Sequence, residues 1–352
     1  AKDNAASVMV VTDCVRAKMH KSFSERNFDY YETVLHYPEC GTNYYFEIAG
    51  IGTSEERITA VYNKRSAMDG AQDYYNFKFY PDFKTPDWAK GAVFYQIFTD
   101  RFCNGDPSND VLDHEYSYVK LHSEQEKDWG AYPHNMDVCH FYGGDLQGIM
   151  DKLDYLQDLG VEVLYLNPIF VSPSNHKYDI QDYDYVDPHF GRIVDDEGDV
   201  LVEGDMDNRH AGRYIRRVTN KKNLEASNEF FIQFVEEVHR RGMKVILDGV
   251  FNHCGSFNKW MDSERIYEGQ EDYEPGAYVD EKSPYRSFFK FFSENWPYNK
   301  DYDGWWGHDT LPKLNYEDSE SLCDYILRIG QKWVSPPYNT DGWRLDVAAD
   351  LG

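Results

Sequence analysis

The hexapeptide Asp341-Gly-Trp-Arg-Leu-Asp346 lies near the end of the sequence. Read as a strand, it puts alternate side chains on one face, so Arg344 and Asp346 point the same way. A guanidinium beside a carboxylate keeps that carboxylate ionised near neutral pH. An ionised, oriented carboxylate is what nucleophilic attack at a glycosyl carbon requires. On these six residues alone, a stabilising ion pair at a strand end is the simpler reading. Val245-Ile-Leu-Asp-Gly-Val-Phe-Asn-His253 poses the same choice. Asp248, Asn252 and His253 close a very apolar run, where polar groups are either hydrogen-bonded into the fold or used for chemistry.

A third cluster, Asn104-Gly-Asp-Pro-Ser-Asn-Asp110, crowds the side-chain oxygens of Asn104, Asp106, Asn109 and Asp110 into one turn-forming stretch. Calcium takes oxygen ligands and a flexible loop can wrap it, although EF-hand spacing is absent. By composition alone a solvated turn is the simpler reading.

The elements that would carry these groups alternate. Val93–Phe98, Val161–Leu166, Val245–Leu247 and Thr340–Val347 read as strands. Between them, Gln147–Leu159, Glu229–Arg241 and Ser319–Trp333 have apolar residues at helical spacing. Strand–helix alternation predicts a parallel sheet with helices outside it, without separating an open sheet from a barrel. Two long connections, about 167–227 and 254–318, follow strand carboxyl ends, where barrel enzymes build their sites. Residues 1–85 differ: short β-type runs at Val8–Val11, Phe28–Leu35, Tyr44–Ile48, Ile58–Tyr62 and Tyr74–Tyr80, broken by Pro38, Gly41 and Asp69-Gly70, predict a small antiparallel sandwich.

Taken together, the motifs resemble the α-amylase superfamily of glycoside hydrolases. Asp-Gly-Val-Phe-Asn-His at 248–253 and Gly-Trp-Arg-Leu-Asp at 342–346 are similar to its third- and fourth-strand signatures, with Leu311-Pro-Lys-Leu-Asn315 between them. Ala92–Phe102 resembles its first strand. His176-Lys-Tyr-Asp179 and Asp187-Pro-His-Phe-Gly191 resemble the loop that delivers a stacking tyrosine. With a sandwich before the barrel, the chain looks like the neopullulanase, cyclomaltodextrinase and maltogenic amylase branch. The resemblance implies an α/β fold, the front half of a (β/α)₈ TIM barrel over 86–352 with a protruding B domain at about 254–318.

It also implies roles. Asp346 matches the nucleophile of a retaining α-glucan hydrolase, and Arg344 the residue that positions it. His253, Tyr178 and His176 match sugar contacts; Asp248 and Asn252 match supporting positions. Gly143 and Asp145 complete a structural Ca²⁺ set with Asn104, Asp106, Asn109 and Asp110. The family's general acid, a glutamate on the fifth strand, falls beyond Gly352, so the chain reads as part of a longer protein. Leu311, Gly304-Trp-Trp-Gly307, Ala349, Asp350 and an apparent insertion at 192–224 depart from the branch and leave α-1,4 against α-1,6 preference open. An inactive carbohydrate-binding relative is the alternative.

Composition narrows the partners. A net charge of −26 argues against nucleic acid. No apolar run reaches the length of a membrane helix, no leader is visible, and the six scattered cysteines predict free thiols in the cytoplasm. Paired tyrosines at Tyr30, Tyr31, Tyr44, Tyr45, Tyr74 and Tyr75 make the N-terminal domain a candidate homodimer surface.

Overall fold

The computed structural model describes residues 2–36, 43–51, 60–65, 72–80, 84–133, 135 and 137–350. The turns expected at Pro38–Gly41 and Asp69-Gly70, together with Cys40 and Ile58, lie outside them. The chain divides into two compact units, Ala1–Lys90 and Gly91–Gly352.

The first unit is antiparallel: β1 (Ala5–Thr12), β2 (Arg16–Glu25), β3 (Phe28–Glu32), β4 (Asn43–Gly50), β5 (Ala60–Tyr62) and β6 (Phe77–Lys78). They form one connected sheet in the order β3-β2-β1-β4-β5, with β6 also on β4. An antiparallel N-terminal sheet domain is what the sequence leads us to expect; a second facing sheet is not seen among the described residues. β2 goes unrecognised in the sequence because it is largely exposed and its apolar alternation, Ala17 and Met19, is interrupted at Lys21. Tyr74 and Tyr75 belong to a short 3₁₀ turn rather than a strand.

The second unit runs β7 (Phe94–Ile97), the hairpin β8 (Ser117–Tyr118) and β9 (Leu121–His122), the pair β10 (Glu124–Gln125) and β11 (His140–Phe141), α1 (Leu146–Asp151) and α2 (Leu153–Asp158). It continues with β12 (Val163–Leu166), the pair β13 (Phe170–Val171) and β14 (Asp182–Val186), α3 (Gly212–Thr219), α4 (Lys221–Arg240), β15 (Lys244–Gly249), α5 (Glu320–Val334) and β16 (Gly342–Leu345). β7, β12, β15 and β16 form one parallel sheet in sequential order. That is how consecutive barrel strands lie side by side, but the sheet is open: no closed barrel is present among the described residues.

Helix and sheet share one core. Phe230, Phe231, Phe234, Val235 and Val238 of α4 are buried, as are Leu322, Ile329 and Trp333 of α5. The expected helix at 147–159 is two helices, because Lys152 leaves helical geometry (φ −102°, ψ 5°). α4 begins eight residues earlier than its apolar spacing predicts. Its first turns bury Asn223, Ser227 and Asn228, whose side chains accept backbone N–H groups of Val194, Arg192 and Val186. Polar clamping of this kind leaves no hydrophobic period to read. The 254–318 segment has only 3₁₀ turns and isolated bridges, among them His253 to Lys313. Cys14, Cys103, Cys139, Cys254 and Cys323 are free. No helix among the described residues is long and apolar enough to cross a membrane.

Candidate active site

Parallel pairing of β15 with β16 sets Asp248 opposite Arg344. Arg344 Nη1 donates to Asp248 Oδ1 at 3.0 Å and to Asp346 Oδ1 at 2.6 Å. Asp346 lies one residue past β16, where its N–H still donates to the Gly249 carbonyl at 3.0 Å. Val347 then turns left-handed (φ 39°) and takes the chain off the strand.

The two carboxylates differ in access. The Asp248 side chain is wholly buried, whereas that of Asp346 is 14% exposed, so only Asp346 can meet a substrate. Burial pushes the Asp248 carboxyl up, and its hydrogen bonds offset part of that. They come from Arg344, from Tyr165 Oη at 2.6 Å and from Tyr178 Oη at 2.9 Å. Burial opposes the Arg344 charge, but hydrogen bonds to the two aspartates outweigh it and hold the guanidinium firmly protonated.

His253 is buried just past the carboxyl end of β15, and burial lowers its pKa against the pull of Asp346. Asn252 Nδ2 lies 3.4 Å from His253 Nδ1. A neutral ring accepting there carries its proton on Nε2, the form that donates to a hydroxyl. The ring stacks on Trp305 at 4.8 Å with 6° between planes, and Trp305 Nε1 donates to Asp350 Oδ2 at 3.2 Å. Trp306 follows in a left-handed conformation (φ 54°) and is 81% exposed.

His176 is likewise held neutral by burial, and its Nδ1 accepts the Tyr178 N–H at 3.1 Å. The residue between them, Lys177, is left-handed (φ 60°) and buried. Its Nζ reaches Asp187 Oδ2 at 2.6 Å and the Ser172 carbonyl at 3.1 Å. Asp187 also accepts from His189 Nδ1 at 2.7 Å and the Ser172 N–H at 3.0 Å. Buried ion pairs therefore hold the loop that carries His176 and Tyr178.

Asp346, Arg344, Asp248 and Tyr178 thus form one hydrogen-bonded chain, with Asn252, His253 and His176 around it. Sequence reasoning missed Tyr165 and Trp305. Tyr165 is the one hydroxyl in an apolar strand, a readable signal. Trp305 is brought to His253 by the Gly304–Pro312 and His253–Lys313 bridges, which no local pattern shows.

A second cluster gathers the six oxygen-bearing residues. Asp145 caps α1 and accepts the N–H groups of Gly148 at 2.6 Å, Gly105 at 3.1 Å and Asp106 at 2.8 Å, and Asn109 Nδ2 at 3.2 Å. Asn104 Nδ2 donates to Asp110 Oδ1 at 2.7 Å. Gly143 packs so tightly on them that a Cβ would meet Asp110 Oδ1 at 2.5 Å. Asn104 Oδ1 and Asn109 Oδ1 are buried without a hydrogen-bond partner among the described residues. Burial pushes the Asp110 carboxyl up to about 6. Unpaired buried acceptors beside a desolvated carboxylate fit an oxygen-seeking cation. Asp106 fits less well, since its carboxylate is taken by Ser108 and Arg192.

The family described as "Alpha amylase, catalytic domain" matches residues 96–202 and 226–352. An amylopullulanase of Thermoanaerobacterium saccharolyticum is 34% identical over 365 residues, covering 92% of this chain and 25% of that protein. Neopullulanase 2 of Thermoactinomyces vulgaris is 34% identical over 349 residues, covering 94% of this chain and 46% of that protein. The solved type III pullulan hydrolase from Thermococcus kodakarensis is 27% identical with a TM-score of 0.61, covering 99% of this chain and 52% of that one. The chain therefore spans from a quarter to about half the length of these relatives.

Proposed function

This chain belongs to the α-amylase family, and from that premise we propose that it carries the nucleophile half of a retaining α-glucan hydrolase site. The hydrogen-bonded chain Asp346–Arg344–Asp248 at the carboxyl ends of two parallel strands carries the reading. Asp346 attacks the anomeric carbon as the glycosyl–oxygen bond breaks, and the leaving oxygen takes a proton from a second carboxylic acid, which none of the residues named here supplies. Water then displaces the ester with a second inversion, so configuration is retained overall. Arg344 orients the carboxylate, His253 Nε2–H and His176 Nε2–H donate to sugar hydroxyls, and Tyr178 offers its ring to the pyranose face. Relatives named neopullulanase, maltogenic amylase and cyclomaltodextrinase support an α-glucan. The test is the full-length protein with cyclodextrin, pullulan and starch, followed by NMR before mutarotation. The expected first product is the α-anomer; a β-anomer, or binding without hydrolysis, overturns the assignment.

We further propose that Asn104, Asn109, Asp110 and Gly143 hold a structural Ca²⁺, braced by Asp145 and Asp106. When bound, the ion would supply a positive centre for Asn104 Oδ1 and Asn109 Oδ1, which have no hydrogen-bond partner among the described residues; it takes no part in bond cleavage. The expected result is one calcium per chain and a melting temperature that falls several degrees on chelation and recovers with added Ca²⁺. No metal in elemental analysis, with an unchanged melting temperature, counts against it.

A further inference from the structure

Outside the residues of both clusters, His114, His122 and Glu203 bring one potential ligand atom each to within 4.8 Å of one another. The imidazole centroids are 4.3 Å apart, and Glu203 Oε2 lies 3.6 Å from His114 Nε2. The proposed hydrolysis uses none of the three.

Backbone bonds gather them. The His114 N–H donates to the Ser123 carbonyl at 2.7 Å, and the His114 carbonyl accepts the Leu201 N–H at 2.8 Å. Residue 114 is thereby tied both to the β9 end of the hairpin and to the segment that carries Glu203. His114 is left-handed (φ 61°), uncommon for a residue with a Cβ. Glu203 occupies a turn closed by Asp205 N–H to the Val202 carbonyl at 3.0 Å, with Gly204 at φ +80°. His122 Nε2 lies 2.7 Å from the Asp205 carbonyl. A carbonyl only accepts, so Nε2 carries the proton and Nδ1 keeps the lone pair a metal needs. A backbone carbonyl fixing the tautomer of a histidine is the usual outer support of a metal ligand.

We infer that His114, His122 and Glu203 form a zinc-class site that clips the 114–122 hairpin region to the 201–205 turn. Two imidazoles and one carboxylate suit Zn²⁺, with water in the fourth position, whereas Ca²⁺ takes oxygen donors. The Glu203 side chain is 90% exposed, free to rotate onto the ion.

The full-length protein is stripped of metal, reloaded with Ca²⁺ and titrated with ZnCl₂ by calorimetry, with Co²⁺ spectroscopy in parallel. One saturable zinc equivalent is expected, with visible Co²⁺ bands of four-coordinate nitrogen–oxygen ligation that zinc abolishes. H114A and H122A weaken zinc binding by at least roughly 10- to 100-fold, the loss typical of outer-shell changes alone. E203Q, at an exposed position that leaves folding intact, weakens it less and keeps the metal-free melting temperature. Absence of saturable zinc at micromolar concentrations, absence of Co²⁺ bands, or wild-type affinity in the H114A/H122A double variant overturns the site.

Discussion

Asp346→Asn lowers kcat on an α-glucan by on the order of 10⁴-fold, the range in which loss of a covalent-catalytic group falls, while ligand affinity changes only a few-fold. The amide is isosteric and keeps a hydrogen-bonding oxygen for Arg344, so the pocket survives. What disappears is the anion that forms the ester. Asp346→Ala separates this from a purely structural effect, because it opens space for a small nucleophile. Added azide should restore turnover in that variant and give a β-glycosyl azide, one inversion replacing two. Stopped assays with product NMR read both outcomes. A D346N enzyme with a substantial fraction of wild-type rate, or a D346A enzyme indifferent to azide, removes the nucleophile assignment.

Asp187→Asn destabilises the protein by about 3–5 kcal/mol, the cost of leaving a buried charge without its partner. The stranded charge is Lys177, whose side chain is 1% exposed. Burial opposes ionisation of Asp187, but Lys177 and His189 outweigh it and hold the carboxyl far below its ordinary value of 3.8. The Asp187 contribution is therefore present above 3.8 and lost only as pH falls through the lower folded value. Burial also opposes the charge on His189, yet Glu115 and Asp187 raise its pKa above 6.5. Its contribution is complete below 6.5 and lost as pH rises through the raised value. Denaturation should thus show the wild-type advantage over D187N largest between those limits and smaller on the alkaline side. K177M combined with D187N should recover part of the loss, since no charge is then stranded. A pH-independent difference, or no recovery in the double variant, argues against this account. Because Lys177 lies between His176 and Tyr178, D187N should also raise KM.

The Arg344–Asp346 pairing is legible from strand alternation alone, and the parallel sheet from four apolar runs separated by helical spacing. The link to Asp248 is not, because it depends on the register of two strands 96 residues apart. β2 and the first turns of α4 stay hidden for a different reason: one is stabilised by neighbours across the sheet, the other by buried amides that bond to distant backbone. Motif order supplied what periodicity could not for Tyr178 and His176, whose loop is shaped by the Lys177–Asp187 pair. Trp305 depends on folding of the 254–318 segment, where no regular pattern exists to read.

Arg344 touches two carboxylates, and this bears on how charge moves during a turnover. In the proposed mechanism Asp346 passes from anion to ester, and a guanidinium with one partner would then be left without a counter-ion in a partly desolvated site. On that mechanism Asp248, held at 3.0 Å with its side chain wholly buried, keeps the role throughout. The scaffold then needs no rearrangement to rebalance its field, which keeps the reorganisation energy of both half-reactions small. The sharing also divides the pull of the cation, so Asp346 remains electron-rich enough to attack and yet leaves readily when water arrives.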